Sequence, residues 1–439
     1  MIGLREKLLS GPERDEPDAT ALHRRFQASV DSATGLFNEL REEKNYYNDD
    51  HDLLSVRMEL RPTASLSDGG YRVGPIMMGR TDEPVSSASR AMFEGFERYS
   101  LSLYEKDRLV HASPKRLAEQ LRAFIDVDLF ADVRRPVDRD SLFRWVAGLD
   151  LATGAEVLVP AQAVYVPYAF ADGEQELREP LTTGAASGLA WPHTLTRALH
   201  EIVERDATML LHYGGCAVRL IEPAHVLGPR MLAYTRAMQA TDKSVTFAQV
   251  QTDLPAHVVV VVVEDPTGRS PAVCVGSGAA ASIAAAAESA LCEAAAFNRA
   301  LRSRLAYGEQ LLSRAPSAQP VTSGELRGYY WAQPERVGTL SWFDGAAVMP
   351  ESAVTDAPIY EPAQLVDHLV SLPGGAIVVD CTPPDVRSFG VYCLKALVPA
   401  LQPMHLDESC MIRTARLQER IVGSGSGSTT DKIGPHPFL

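Results

Sequence analysis

The chain has 439 residues, enough for a large core and, by length alone, for two or three domains. Its composition is that of an ordinary globular protein, 46% hydrophobic and 22% charged, and a formal net charge of −14 with no basic tract excludes broad binding to a nucleic-acid backbone. Six scattered cysteines form no Cys-x-x-Cys pair, which excludes a zinc ribbon and points to reduced thiols in a cytoplasmic protein, and the most apolar run, Val258–Val263, is too short to span a membrane.

Residues 1–28 are rich in charge and proline and carry no continuous apolar core, so they are no signal peptide and read either as a disordered interaction arm or as a packed helix. Phe26–Leu40 mixes helical and turn signals around Thr34-Gly35, and Leu54–Val73 alternates as strands do. Helices are expected over Ser86–Tyr104 and Pro114–Phe124. Phe143–Asp150 and Glu156–Val159 flank a Thr153-Gly154 turn, the pattern of a β-hairpin, and Ala163–Phe170 follows as another strand. Thr182–Gly188 is a small-residue loop that feeds a long helix reaching Tyr213. Strands are expected over Ala217–Ile221, Ser244–Gln249, the buried valine run and Ala272–Val275. A small-residue turn at Gly276–Ala281 then opens an alanine-rich helix through Leu301; Ser313–Gln333 reads as loop, and Ala376–Asp380 and Val391–Leu397 as late strands. This order of elements predicts an α+β (mixed α/β) protein.

Two of the helices share one design. Arg90, Glu94, Glu97 and Arg98 repeat the spacing of Arg197, Glu201, Glu204 and Arg205, positions three and four apart that share a helix face. Leu195, Leu199, Ile202, Val203 and Leu210 make the opposite face of the second helix apolar. Taken singly, each helix reads as a surface helix with ion pairs worth a few tenths of a kcal/mol. Taken together, four carboxylates and several arginines suit divalent cations that hold phosphate oxygens. Glu293, set among the small residues Ala290–Ala296, is either an exposed helix glutamate or closely approached by another element. Other enzyme signatures are missing: there is no P-loop, His200-Glu201 lacks the second zincin histidine, and no Gly-x-Ser-x-Gly elbow occurs. Gly276–Ala281 leaves an NAD-binding enzyme as a minor reading, against which stands the lack of a following strand that ends in an acidic residue.

In their order, Asp31–Phe37, Glu94-x-x-Glu97-Arg98, Glu201-x-x-Glu204-Arg205-Asp206-Ala207, Gly276–Glu293, Ile377–Asp385 and Leu397–Leu401 resemble the YcaO-type ATP-dependent enzymes, over roughly Asp31–Leu439. The resemblance implies a YcaO-like fold with glutamate-bearing helices around an ATP site that has no P-loop. Glu94, Glu97, Glu201, Glu204 and Glu293 would be the magnesium ligands, and with Arg98, Thr183 and Arg205 they would bind the nucleotide. It further implies a catalytic domain over 29–422 and a flexible tail over 423–439. Two positions depart from the family pattern. Thr182-Thr183-Gly184 stands where Ser-Asn-Gly is usual, and Ala296-Phe297 where a polar residue follows the third-helix glutamate, with Asn298 or Arg299 as substitutes.

The ending Pro435-His-Pro437-Phe-Leu439 resembles the alternating-proline tail of azoline-forming members, with Leu439 in place of the last proline. Pro435, Pro437 and Leu439 would then position the substrate amide or assist proton transfer. The implied reaction is ATP- and Mg2+-dependent cyclodehydration of Cys, Ser or Thr in a ribosomally made precursor peptide to thiazoline or oxazoline. The implied partners are that peptide, a ThiF-like or other leader-peptide-binding protein, a flavin-dependent azoline dehydrogenase and a second copy of the chain. Thioamide- or amidine-forming chemistry, and a non-catalytic scaffold subunit, are the alternatives.

Overall fold

The computed structural model describes residues 26–43, 53–81, 84–307, 320–423 and 434–438. Of the expected N-terminal arm, only residues 26–28 are among them, and Phe26 there is fully buried; the rest of the arm, residues 424–433 and Leu439 lie outside the described residues.

Strands β1 (Phe37–Glu43), β2 (Leu54–Leu60) and β3 (Ile76–Thr81) form an antiparallel sheet in that order, covered by helix α1 (Pro84–Leu101). Alternation in β2 sends Met58 and Leu60 into one core with Met77 and with Ala91, Met92 and Phe96 of α1. The alternating stretch expected as strand over Leu54–Val73 thus ends at Leu60. Beyond it, Thr63 and Ala64 turn back to bond the Tyr71 carbonyl, and the chain resumes as β3.

Next come β4 (Val110–Ala112), α2 (Pro114–Glu119), β5 (Phe143–Asp150), β6 (Glu156–Pro160), β7 (Ala185–Gly188) and helix α3 (Trp191–His212). The hairpin expected from the Thr153-Gly154 turn is present as β5 and β6. Helix α2 is shorter than expected, and no strand spans Ala163–Phe170: Pro167 has no amide to give a ladder, and Val164 and Tyr165 instead turn back onto the Ala161 carbonyl. Of the small-residue loop expected over Thr182–Gly188, Ala185–Gly188 is a strand, β7, and Thr182–Gly184 is the turn that leads into it.

Strands β8 (Val218–Ile221), β9 (Ser244–Val250), β10 (His257–Glu264) and β11 (Val273–Ala280) form a second antiparallel sheet, ordered β11-β10-β9-β8, with helix α4 (Pro229–Gln239) between β8 and β9 in the chain and α5 (Ile283–Tyr307) after β11. The valine run is β10, and it is buried on both faces. Val258, Val260 and Val262 pack toward α3, whereas Val259, Val261 and Val263 pack with α4 and α5. At roughly 1.5–3 kcal/mol for each fully buried side chain, this strand stabilises two cores at once. The expected turn at Gly276–Ala281 is mostly the end of β11, paired antiparallel to β10, which removes the parallel β-α-β context an NAD site needs.

Helix α6 (Gly324–Trp331) replaces part of the expected loop over Ser313–Gln333. Strands β12 (Ile377–Asp380) and β13 (Tyr392–Leu397) complete a sheet ordered β4-β5-β12-β13-β7, with β6 on β5. Helix α3 lies between the two larger sheets, its Leu199, Val203 and Leu210 in one core with Ala186 of β7, Leu394 and Ala396 of β13, and the even valines of β10. The architecture is the expected α+β one. Among the described residues no helix is long and apolar enough to cross a membrane.

Candidate functional site

The polar face of α3 points at the open edge of β11, and there the acidic helices converge. Strand β11 pairs only with β10 among the described residues, so alternate amides on its other side have no ladder partner. Carboxylates take them. The amide of Ser277 donates to Glu293 Oε2 at 2.5 Å and that of Ala279 to Glu204 Oε2 at 3.1 Å, while the Ser277 hydroxyl reaches Glu204 Oε1 at 2.7 Å and Glu293 Oε2 at 3.2 Å. Two glutamates from different helices are thereby fixed on one serine.

Arg205 lies over this pair. Its guanidinium nitrogens are 3.4 Å from Glu204, 3.8 Å from Glu293 and 4.0 Å from Glu201. Glu201 is held by the amide of Gly184 at 3.2 Å. Only glycine serves at that turn: its φ of +81° is left-handed, and a Cβ would lie 2.4 Å from the Ala396 carbonyl. Helix α1 supplies Glu94, which pairs with Arg98 at 3.3 Å, and Glu97, on which the charge of Glu201 acts. The two repeated helices therefore do face one site. Thr183 offers its carbonyl to Lys395, which donates to it at 2.7 Å and to Leu181 at 2.6 Å.

The electrostatics are those of crowded acids. Burial pushes Glu97 up to about 8; Arg98 opposes this, and the like charges of Glu201 and Glu94 add to it. Burial likewise pushes Glu293 up to about 7 against the pull of Arg205, and raises Glu201. Burial also brings Lys395 down to about 7, helped by the charge of Arg178. Hard oxygen donors in this number, with burial favouring the protonated form of Glu97, Glu201 and Glu293, fit divalent cations. Arg205 keeps its Nε and Nη1 without a hydrogen-bond acceptor, which fits a phosphate oxygen.

The model of the family described as YcaO cyclodehydratase, ATP- and Mg2+-binding, matches residues 78–402. The chain belongs to the YcaO family. That match spans all three glutamate helices, and ATP and Mg2+ are the cofactors of the family. An uncharacterized protein of Methanothermobacter thermautotrophicus is 28% identical over 219 residues, 50% of this chain and 54% of that protein. A heterocyclase solved in complex with substrate and cofactor superimposes with a TM-score of 0.68 at 18% identity, over 95% of this chain and 57% of its own. YcaO from Methanopyrus kandleri, bound with AMPPCP and Mg2+, gives a TM-score of 0.63 at 17% identity over 90% and 93%. At such identities the two structures establish the YcaO fold. The chain spans little more than half the length of the first two of these proteins.

Within the YcaO frame, two substitutes considered for the Ala296-Phe297 departure point elsewhere. Asn298 reaches Cys274 Sγ at 3.8 Å, and Arg299 pairs with Glu43 at 3.6 Å. Conversely, Lys395 lies beside these residues although nothing in the sequence marked it, while Ser277 and Gly184 come from stretches that the resemblance did include. Tyr71 joins them: burial raises its hydroxyl, and the charges of Arg98, Glu97 and Glu94 act on it.

The tail segment 434–438 is docked at the far end of α3. His212 bonds the Gly434 carbonyl at 2.9 Å, Trp331 that of Pro435 at 3.2 Å, and Arg327 that of His436 at 2.8 Å, while Phe438 stacks on Trp342 with ring centroids 5.5 Å apart. Pro435 and Pro437 are buried here, and His212, which holds the segment's first carbonyl, lies eight residues, about 12 Å along the helix, beyond Glu204. Leu439 is outside the described residues. His405, Glu408 and His436 bring metal-ligand atoms within 4.8 Å of one another, but Arg327, 2.8 Å from Glu408, already supplies the positive charge there. We read this cluster as the polar socket of the tail.

Proposed function

We propose that the chain is an ATP- and Mg2+-dependent cyclodehydratase of ribosomally made peptides, with residues 29–422 as its catalytic domain. The observation that carries this reading is the meeting of Glu204 and Glu293 on Ser277 under Arg205, with Glu201, Glu97 and Glu94 beside them. When bound, ATP supplies the phosphoryl group that makes a peptide carbonyl oxygen a leaving group, and Mg2+ offsets the charge of the phosphates. The glutamates would hold the cations, and Arg98 and Arg205 would hold phosphate oxygens.

In the peptide, the oxygen or sulfur of a Ser, Thr or Cys side chain bonds to the carbonyl carbon of the preceding residue. The side-chain O–H or S–H and the amide N–H each give up a proton, and a C=N bond forms. The carbonyl oxygen departs within the phosphate taken from ATP, which becomes ADP, so the peptide is lighter by one water. Lys395 fixes the Leu181–Thr183 segment, and so the Gly184 amide that orients Glu201. The docked tail supports ring formation over thioamide or amidine chemistry, with Pro435, Pro437 and Leu439 ordering the substrate side of the site. A leader-peptide-binding protein of ThiF-like or related type, an azoline dehydrogenase and a second copy of the chain are its proposed partners.

The test is calorimetry of Mg-ATP with wild type and the Glu201→Gln, Glu204→Gln variant. Wild type is expected to bind, and the folded variant to bind at least about 100-fold more weakly, as loss of two metal-holding groups costs on the order of 10–100-fold each. Equal binding by both would move the nucleotide site elsewhere.

A further inference from the structure

A cavity is lined by Thr183, Ile202, Val398 and His405, so its wall includes the segment that Lys395 holds beside the carboxylate site and a histidine of the socket of the tail. Most of its wall is apolar, including Leu401 and Met404, and Arg178 lines it. Arg178 is the unusual member. Its guanidinium lies over the ring of Phe130 with 5.0 Å to the centroid, and among the described residues no carboxylate or carbonyl accepts from it. The adjacent Glu179 does not compensate it, because that carboxylate accepts the amides of Leu406 and Asp407 at 2.8 and 3.2 Å.

Burial alone brings Arg178 down to about 10, and its charge is felt by Lys395 across the Leu181–Thr183 segment. A ring face attracts a guanidinium but offers no acceptor for its N–H fork. Glu179, Gln402 and His405 also line the cavity, but Glu179 is taken up by the two amides. The wall thus presents a cation without a paired carboxylate among mostly alkyl side chains, which matches a short alkyl stem that ends in a planar anion.

We propose that this cavity receives an acidic side chain, Asp or Glu, of the peptide substrate, and that Arg178 is the residue that selects it. This rests on the peptide-modifying reading above and adds the substrate class: a peptide with a carboxylate close to the amide that is activated. Arg178 acts by binding this carboxylate and takes no part in phosphoryl transfer.

The experiment titrates N-acetyl-aspartate N-methylamide, its asparagine analogue and inorganic phosphate into wild type, Arg178→Met and Arg178→Lys, each with and without Mg-AMPPCP. Wild type is expected to favour the aspartate probe about tenfold or more over the asparagine probe, the difference made by one charged hydrogen-bonded contact. Arg178→Met is expected to lose that preference while binding Mg-AMPPCP as wild type does, and Arg178→Lys to keep part of it, which separates loss of charge from loss of fold. Equal binding of the two probes to wild type, or a preference that survives Arg178→Met, overturns the proposal. Tighter binding of phosphate than of aspartate, lost in Arg178→Met, also overturns it, in favour of an inorganic anion. Absence of Mg-AMPPCP binding by wild type would refute the nucleotide site, and the probe comparison without nucleotide would still decide the cavity.

Discussion

Glu97 and Glu293 keep protons in the folded chain that unfolded glutamates lose near pH 4.5, because burial costs the charged form and the neighbouring arginines do not repay it. Their folded pKa values are raised, so between about pH 5 and 7 the native state binds more protons than the unfolded state, and stability falls as pH rises through that window. Glutamine at both positions does not titrate. Without nucleotide or magnesium, wild type should therefore lose stability relative to the Glu97→Gln, Glu293→Gln variant, on the order of 1 kcal/mol per pH unit from pH 5 to 7. Urea midpoints at each pH measure the gap, and a gap that stays constant would mean that both carboxyls ionise freely in the fold. Addition of Mg-ATP should reverse the sign, since cations then favour the deprotonated form. The carboxylates were legible at this scale because Arg–Glu–Glu–Arg spacing is local. Lys395 was not: its partners Leu181 and Thr183 lie more than 200 residues away in sequence, and nothing within VYCLKALVP distinguishes a buried site lysine from a surface one.

Elements were harder to read than residues where glycine had two meanings. Gly276 and Gly278 looked like a turn, but they are strand residues whose missing side chains let α5 lie directly on β11. A Cβ on Gly276 would sit 2.2 Å from the Ala290 carbonyl and 2.3 Å from the Ala294 amide, both rigid helix backbone. The small residues Ala290–Ala296 are the other half of that contact, which is why the sequence around Glu293 announced a close neighbour without saying which. Gly276→Ala should push α5 outward, cost about 1–3 kcal/mol of stability as overpacking does, and separate Glu293 from Ser277. Guanidinium midpoints report the first effect. Loss of Mg-ATP affinity larger than the loss shown by a helix-surface control reports the second, and an unchanged midpoint would mean that the helix and strand are not in contact. The long, periodic α3 and the β5–β6 hairpin were legible because their signals are local; α6 was missed because its sequence GELRGYYW carries two glycines and no apolar period long enough to outweigh them.

At the scale of the whole molecule, α3 is a beam with a carboxylate site on its flank and the socket of the tail at its end. Removal of residues 435–439 should abolish peptide cyclisation while leaving Mg-ATP affinity within about threefold, since His212, which holds the tail, lies about 12 Å along the helix from Glu204 and the tail's bonds to His212, Trp331 and Arg327 reach no site carboxylate. Product mass and calorimetry read the two quantities, and equal loss of both would mean that the tail supports the fold rather than the reaction. The manner in which the tail is held has a further consequence. His212, Trp331 and Arg327 each grip a backbone carbonyl, those of Gly434, Pro435 and His436. A socket that reads the main chain is indifferent to a letter wherever the side chain makes no contact of its own; His436, on the His405 carbonyl, and Phe438, on Trp342, do make one. What the socket asks of Pro435 is a carbonyl in the right place, a demand that many side chains meet and that a comparison of letters does not register.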